Sequence, residues 1–363
     1  MRTFCSLLAA VVTLAIAQPH GQSDRVRAIH ERVVFADVHA HPSRFHRSAV
    51  AQIEADEIAR YKRGLIDLVV ACVSSDAAFQ GGYTRADGTT VARLRDNDVY
   101  PLKPGEAFAF TVERFDRIMK TISAGNAAHA SSPEAVLEAK RRGQVALMPA
   151  LEGADGLEGK IENLRELHRR GLRLLQLLHF VDNDLGSNQI PPHDGRGLTD
   201  FGRAVVRESN RLGIVVDLAH ANTRTIMDAL AVSTEPIVFS HTGAKALHAG
   251  DRYLTDEEIR AIGTKGGLIG IWPAAELKTI GEMVRHIDHV KRLVGIDRIA
   301  IGSDLRGMEY IDAFGEDANF NAIAQGLVDA GYTDEEIGKV MGGNFFRLWQ
   351  QVVRGAGPAA ASH

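Results

Sequence analysis

Eight short runs of almost unbroken apolar residues recur along the chain. They are "VVFADVH" (33–39), "LIDLVVACV" (65–73), "VALMPALEG" (145–153), "LRLLQLLH" (172–179), "IVVDLAH" (214–220), "PIVFSH" (236–241), "LIGIW" (268–272) and "IAIGSD" (299–304). Runs this continuous suit parallel strands covered on both faces better than half-exposed antiparallel ones. Between them lie amphipathic segments with helical spacing, such as "IENLRELHRRG", "TDFGRAVVRESNRLG" and "TDEEIRAIGTKGG". Several of these open at Thr or Asp and close at Gly, as capped helices do. Eight strands interleaved with helices predict an α/β fold of the (β/α)8, TIM-like barrel type. A doubly wound open sheet is the alternative, but no Gly-rich phosphate fingerprint follows the first strand. The pattern breaks once, from about Ser74 to Ser132, after the second strand. This long insertion carries "GGYTRADGTT" and a helix around "AFAFTVERFDRIMKTI", and its place at a strand's carboxyl end suggests a lid or substrate wall.

The two chain ends read differently. Residues 1–17, "MRTFCSLLAAVVTLAIA", combine Arg2, an apolar stretch and Ala15-Ile16-Ala17, the pattern of a cleavable signal peptide for a periplasmic or secreted protein. The stretch is too short to span a bilayer core of roughly 30 Å, and no later segment predicts a membrane span. Removing 17 of 363 residues leaves 346, with residues 18–354 expected as one domain and 355–363, "GAGPAAASH", as a disordered tail. Cleavage removes Arg2 and no acid, so the formal charge moves from −4 to −5. A mildly acidic chain with no arginine-lysine run offers no face for nucleic acid. Cys72 would be the single remaining cysteine, a small core residue, so the domain must be held by its core rather than a disulfide.

The candidate chemistry sits at the carboxyl ends of the predicted strands. Strand one ends in His39 and His41, strand three in Glu152, strand four in His179, strand five in His220, strand six in His241 and strand eight in Asp304. In a barrel these ends meet around one rim, where barrel enzymes place their active sites. One such histidine could simply satisfy a loop carbonyl; five with a Glu and an Asp in the same register point to a metal site. Imidazole nitrogen and carboxylate oxygen are the donors that zinc-like divalent ions prefer. Residues i and i+2 of a strand share a face, so His39 and His41 can grip one ion together. His286, His289, His168 and His248 lie in helical or loop contexts that suggest surface or packing roles. His193, in "PPHDGRG", could approach from a loop.

With these residues in view the chain resembles the membrane (renal) dipeptidase family, the M19 metallopeptidases of the amidohydrolase-like metal-dependent barrels. The resemblance runs from about Val33 to Val353 and is carried by "ALEGADGL", "GLTDFGRAVVRESNRLGIVVDLAH", "PIVFSHTGAKAL", "RYLTDEEIRAIGTKGGLIGI", "HIDHVKRLVGIDRIAIGSD" and "GGNFFRL". It implies an exported dipeptidase with two zinc ions per subunit, in which a metal-bridging hydroxide attacks the peptide bond, and it suggests a homodimer. His39 and His41 would bind the first ion, Glu152 would bridge both, and His220 and His241 would bind the second. Asp304 would sit beside the first ion and handle the proton. His179 would polarise the substrate carbonyl, and Arg252 would receive the dipeptide's terminal carboxylate through its planar fork. Without the family match, Arg252 reads as a surface ion pair with Asp251 or Asp256.

Three stretches depart from the family pattern. His39-Ala40-His41 stands where the family usually has His-x-Asp, leaving the site one negative charge short. Gly153-Ala154-Asp155 stands in place of Gly-Gly-His, and "FVDNDLGSNQI" replaces an Asn-Pro-Trp-like stretch. The alternatives are another metal-dependent amide, β-lactam or lactone hydrolase using the same site, or a non-catalytic binding or maturation factor with a vestigial one.

Overall fold

A computed structural model describes residues 23–84, 89–93, 99–191, 193–315 and 317–357. The expected signal segment and positions 358–363 of the expected tail lie outside the described residues. Eight parallel strands follow one another around a barrel: β1 (Ala36–Ala40), β2 (Leu68–Ser74), β3 (Ala146–Glu152), β4 (Leu174–Gln176), β5 (Val215–Asp217), β6 (Val238–Thr242), β7 (Leu268–Ile271) and β8 (Ile299–Ile301). Each pairs with the next in chain order. The ring is joined beyond the end of β8, where Ala40 bridges Leu305 in parallel and the Asp304 N–H donates to the His39 carbonyl at 2.9 Å. The (β/α)8 barrel is therefore observed, with each of the eight predicted runs supplying one strand.

The apolar runs sort into two packed layers. Val38, Val70, Met148, Leu174, Val215, Val238, Leu268 and Ala300 form one buried cluster. Side chains from all eight strands can meet only inside the barrel. Phe345, Leu348 and Trp349 of the helix Asn344–Gly355 join the same cluster, so this last helix closes the end of the barrel where the strands begin. It takes in Gly355, the first residue of the expected tail. A larger cluster lies between the strands and the surrounding helices, with Val69, Leu147, Leu175, Val216, Phe239, Ile269 and Ile301 facing outward into it. Near-continuous burial on both faces is why these strands show no polar alternation.

Helix ends follow the predicted caps. Thr199 accepts from Gly202 N at the start of Asp200–Leu212, and Gly213 ends it with φ 71°. Thr255 and Glu258 form a reciprocal capping box ahead of Asp256–Thr264.

The insertion after β2 is ordered where described. It holds a short helix, Ala77–Gln80, a two-stranded hairpin (Tyr83–Thr84 with Thr90–Val91), and the long helix Glu106–Ser123. Glu158, in the loop after β3, accepts from Gly105, Ala107 and Phe108 N–H groups at the start of that helix. A carboxylate there satisfies free donors and complements the helix dipole. Ala128–His129 then adds in parallel beside the first two residues of β3, the position β4 occupies further along. The insertion is thus fixed to the loop after β3 and to the first residues of that strand. No helix among the described residues is long and apolar enough to cross a membrane.

Candidate metal centre

The carboxyl ends of the strands bring His39, His41, Glu152, His220, His241 and Asp304 together at the barrel mouth. Three overlapping groups have ligand atoms within 4.8 Å of one another: His39, His41 and Glu152; Glu152, His220 and His241; and His39, His241 and Asp304. Glu152 is common to the first two. Its Oε1 lies 3.3 Å from His39 Nε2, 3.5 Å from His220 Nε2 and 4.0 Å from His241 Nε2, and its Oε2 lies 3.3 Å from His41 Nε2. Asp304 Oδ1 lies 3.2 Å from His41 Nε2 and 3.9 Å from His39 Nε2.

Two backbone features place these groups. The register sets Ser74 opposite Glu152, and the Ser74 hydroxyl donates to Glu152 Oε2 at 2.6 Å. His220 and Asp304 both have left-handed backbones, φ 69° and 49°, uncommon for side chains of this size. Each is held there: Gln189 N–H donates to the His220 carbonyl at 2.7 Å, and Gly307 N–H to that of Asp304 at 2.8 Å. Unusual conformations of this kind persist where the surroundings over-determine them, often at functional sites.

The donor set fits a divalent cation. His41 Nδ1 lies 3.2 Å from the Cys72 carbonyl, which can only accept, so Nδ1 carries the proton and Nε2 faces the carboxylates. The Nε2 atoms of His220 and His241 stand 3.1 Å apart, and those of His39 and His41 3.3 Å apart. Burial, with nearby Arg252, pushes the His220 imidazole well below its usual range; burial and His39 do the same to His241. Neutral imidazoles with converging lone pairs are metal ligands. Glu152 is buried, which alone would raise its carboxyl, but His179, His41 and His39 outweigh this and hold it well below the carboxylate range. Burial would likewise depress His41, yet Glu152 and Asp304 lift it to about 10. The pocket is built to hold positive charge.

His179 and Arg252 flank this group. His179 Nε2 lies 3.4 Å from Glu152 Oε2, and its Nδ1 lies 2.8 Å from Asp76 Oδ1. Burial alone would lower this imidazole, but Asp76 and then Glu152 raise it. Gly153 is needed beside the ring. Its φ is 73°, and a Cβ there would come within 2.8 Å of Asp155 Oδ2 and 3.2 Å of His179 Cβ. Arg252 is partly buried and pairs with neither Asp251 nor Asp256. Its Nη1 donates to Gln189 Oε1 at 2.6 Å, its guanidinium lies 5.2 Å from the Trp272 ring centre, and its buried Nη2 has no partner. Burial brings it down to about 10, so it remains charged at neutral pH.

Of the other histidines, buried His46 packs on His41 with ring centres 4.8 Å apart, and those considered from the sequence stay apart. His193 is exposed and lines a separate cavity of about 290 Å³ with Gln189 and Tyr253. His286 is buried as a packing residue that accepts from Ala244 N–H, and His289 pairs with Asp256 at 2.7 Å. Cys72 is a buried free thiol whose Sγ lies 3.4 Å from His39 Nδ1. Sequence reasoning missed Asp76, Ser74, Gln189 and Asp217, whose Oδ2 lies 4.0 Å from His39 Nδ1. Asp76 lies two residues past the end of β2, so the strand-end rule that found the ligands could have found it too.

Comparison with known proteins follows the same lines. The model of the membrane dipeptidase family, peptidase family M19, matches residues 23–362. The dipeptidase tcpJ of Claviceps purpurea (strain 20.1) is 31% identical over 252 residues, 66% of this chain. That match spans only 59% of the relative's own length. Among solved structures, a metallopeptidase from Rhodobacter sphaeroides, liganded with a phosphinate mimic of L-Ala-D-Ala, aligns with a TM-score of 0.75 at 22% identity. The alignment covers 88% of this chain and 99% of that one. An amidohydrolase from Pseudomonas aeruginosa aligns with a TM-score of 0.73 at 20% identity, over 90% and 99% of the two chains. At these identities the structural likeness is one of fold.

Proposed function

The chain belongs to the membrane dipeptidase family, peptidase family M19, and from that premise we propose that it hydrolyses the peptide bond of dipeptides using two zinc ions per subunit. The observation that carries this reading is the convergence of four buried imidazoles on the two oxygens of Glu152, with the partly buried Asp304 against His41 and His39. His39 and His41, with Glu152 and Asp304 beside them, would hold one ion; His220, His241 and the other Glu152 oxygen would hold the second. Bound there, divalent cations supply Lewis acidity and lower the pKa of water.

The remaining groups do the work of the chain itself. Arg252 keeps its charge and has a buried N–H to spare, which suits a substrate's terminal carboxylate. Anchoring the carboxylate sets the scissile carbonyl against His179 Nε2, a donor for the developing oxyanion. Asp304 accepts the proton of the attacking water and passes it to the nitrogen as the C–N bond breaks, releasing a free amine and a free acid. The name of tcpJ and the dipeptide mimic in the Rhodobacter enzyme support a dipeptide substrate. Residues 1–17 support export to the periplasm or medium, a proposal independent of the reaction.

The test is metal analysis of the purified protein alongside an L-L and L-D dipeptide panel. Zinc in the protein and release of free amino acids are expected; a metal-loaded protein that cleaves no member of the panel would overturn the reading.

A further inference from the structure

Asp76 lies in none of the segments that carry the family resemblance, at the first turn of the insertion after β2. It is wholly buried. Its Oδ1 lies 2.8 Å from His179 Nδ1, while its Oδ2 accepts from Gln80 Nε2 at 3.0 Å and from Phe180 N–H at 3.3 Å. A carboxylate oxygen only accepts, so the proton between them sits on Nδ1, and the other ring nitrogen, Nε2, is left facing Glu152 at 3.4 Å. The Phe180 contact ties Asp76 to the backbone just after His179, so ring and chain are held by one group. Phe180 also packs on the imidazole, with ring centres 4.0 Å apart. The His220 ring packs edge-on at 4.6 Å, and Gly153 contributes no side chain.

We propose that Asp76 is the positioning residue of His179: by accepting from Nδ1–H it fixes the ring orientation that aims Nε2 at the substrate carbonyl. The inference rests on the dipeptidase reading and assigns Asp76 no contact with substrate. It makes the insertion part of the catalytic apparatus, since the orienting carboxylate belongs to the inserted segment.

A double-mutant cycle on the zinc-loaded full chain tests this. Asp76→Ala should lower kcat about 10- to 100-fold, as loss of an imidazole-orienting carboxylate does elsewhere, with KM and zinc content close to the parent's. Asp76→Asn, which keeps an acceptor for Nδ1–H, should recover part of the loss and serves if the alanine variant folds poorly. In a His179→Ala background, either Asp76 substitution should cost almost nothing further. Losses that multiply in the double variant, a rise in KM instead of a fall in kcat, or loss of zinc would overturn the assignment. A parent enzyme that cleaves no dipeptide would overturn the functional reading instead, which separates the two failures.

Discussion

His39 and His41 present their Nε2 atoms to each other at 3.3 Å across the mouth of the barrel. Two imidazole nitrogens so close cannot both carry protons at low cost, and the pair is shaped for a cation. A proton competes for the same place, because Glu152 and Asp304 outweigh burial and lift His41 to about 10. Below that pH an ion entering at His39, His41 and Glu152 must displace a proton. Its affinity should rise roughly tenfold per pH unit between pH 7 and 9. His220 and His241 are held neutral in this range by burial, so the ion at Glu152, His220 and His241 should show little such dependence. Zinc competition titrations with measured proton release would check this; equal slopes at both positions would contradict it.

His41 stands where the family usually has aspartate, leaving this half of the centre with less Coulomb attraction. The first ion should be the easier of the two to strip by graded chelation. His41→Asp should tighten it while retaining hydrolysis. His41→Ala should lose it, and a variant that binds both ions as tightly as the parent would make His41 a packing residue.

Glu152→Gln should abolish activity and lower metal content. The amide has neither the charge nor two equivalent oxygen donors, and it faces five imidazoles with one oxygen instead of two. Retention of both metals and most of the rate would deny Glu152 a bridging role.

Arg252→Ala should weaken hydrolysis of free dipeptides by about 2–4 kcal/mol in kcat/KM, and far less for C-terminally amidated analogues. The buried, unpartnered Nη2 motivates this contrast. Equal losses on both substrates would assign Arg252 to structure, through Gln189 and Trp272.

Much of this site was legible because the barrel imposes one rule on every strand. An apolar run buried on both faces stops at the rim, and the first polar side chains after it point into the mouth. That rule found His39, His41, Glu152, His179, His220, His241 and Asp304 without a structure. It passed over Asp76 because the residues after β2 open an insertion, which suggested a wall rather than chemistry. Gln189 was beyond it altogether. It lies in an irregular loop without periodicity, and its partner Arg252 is 63 residues away in the chain. Asp217 was hidden for the opposite reason, sitting inside an apolar run where its neighbours read as strand core.

The most direct test is dipeptide hydrolysis by chelated protein, measured as zinc is restored stepwise. The rate should be near zero without metal, rise with added zinc, and reach its plateau at about two ions per subunit. Hydrolysis undiminished by thorough chelation, or none at any zinc loading, would contradict a metal-dependent dipeptidase built around Glu152.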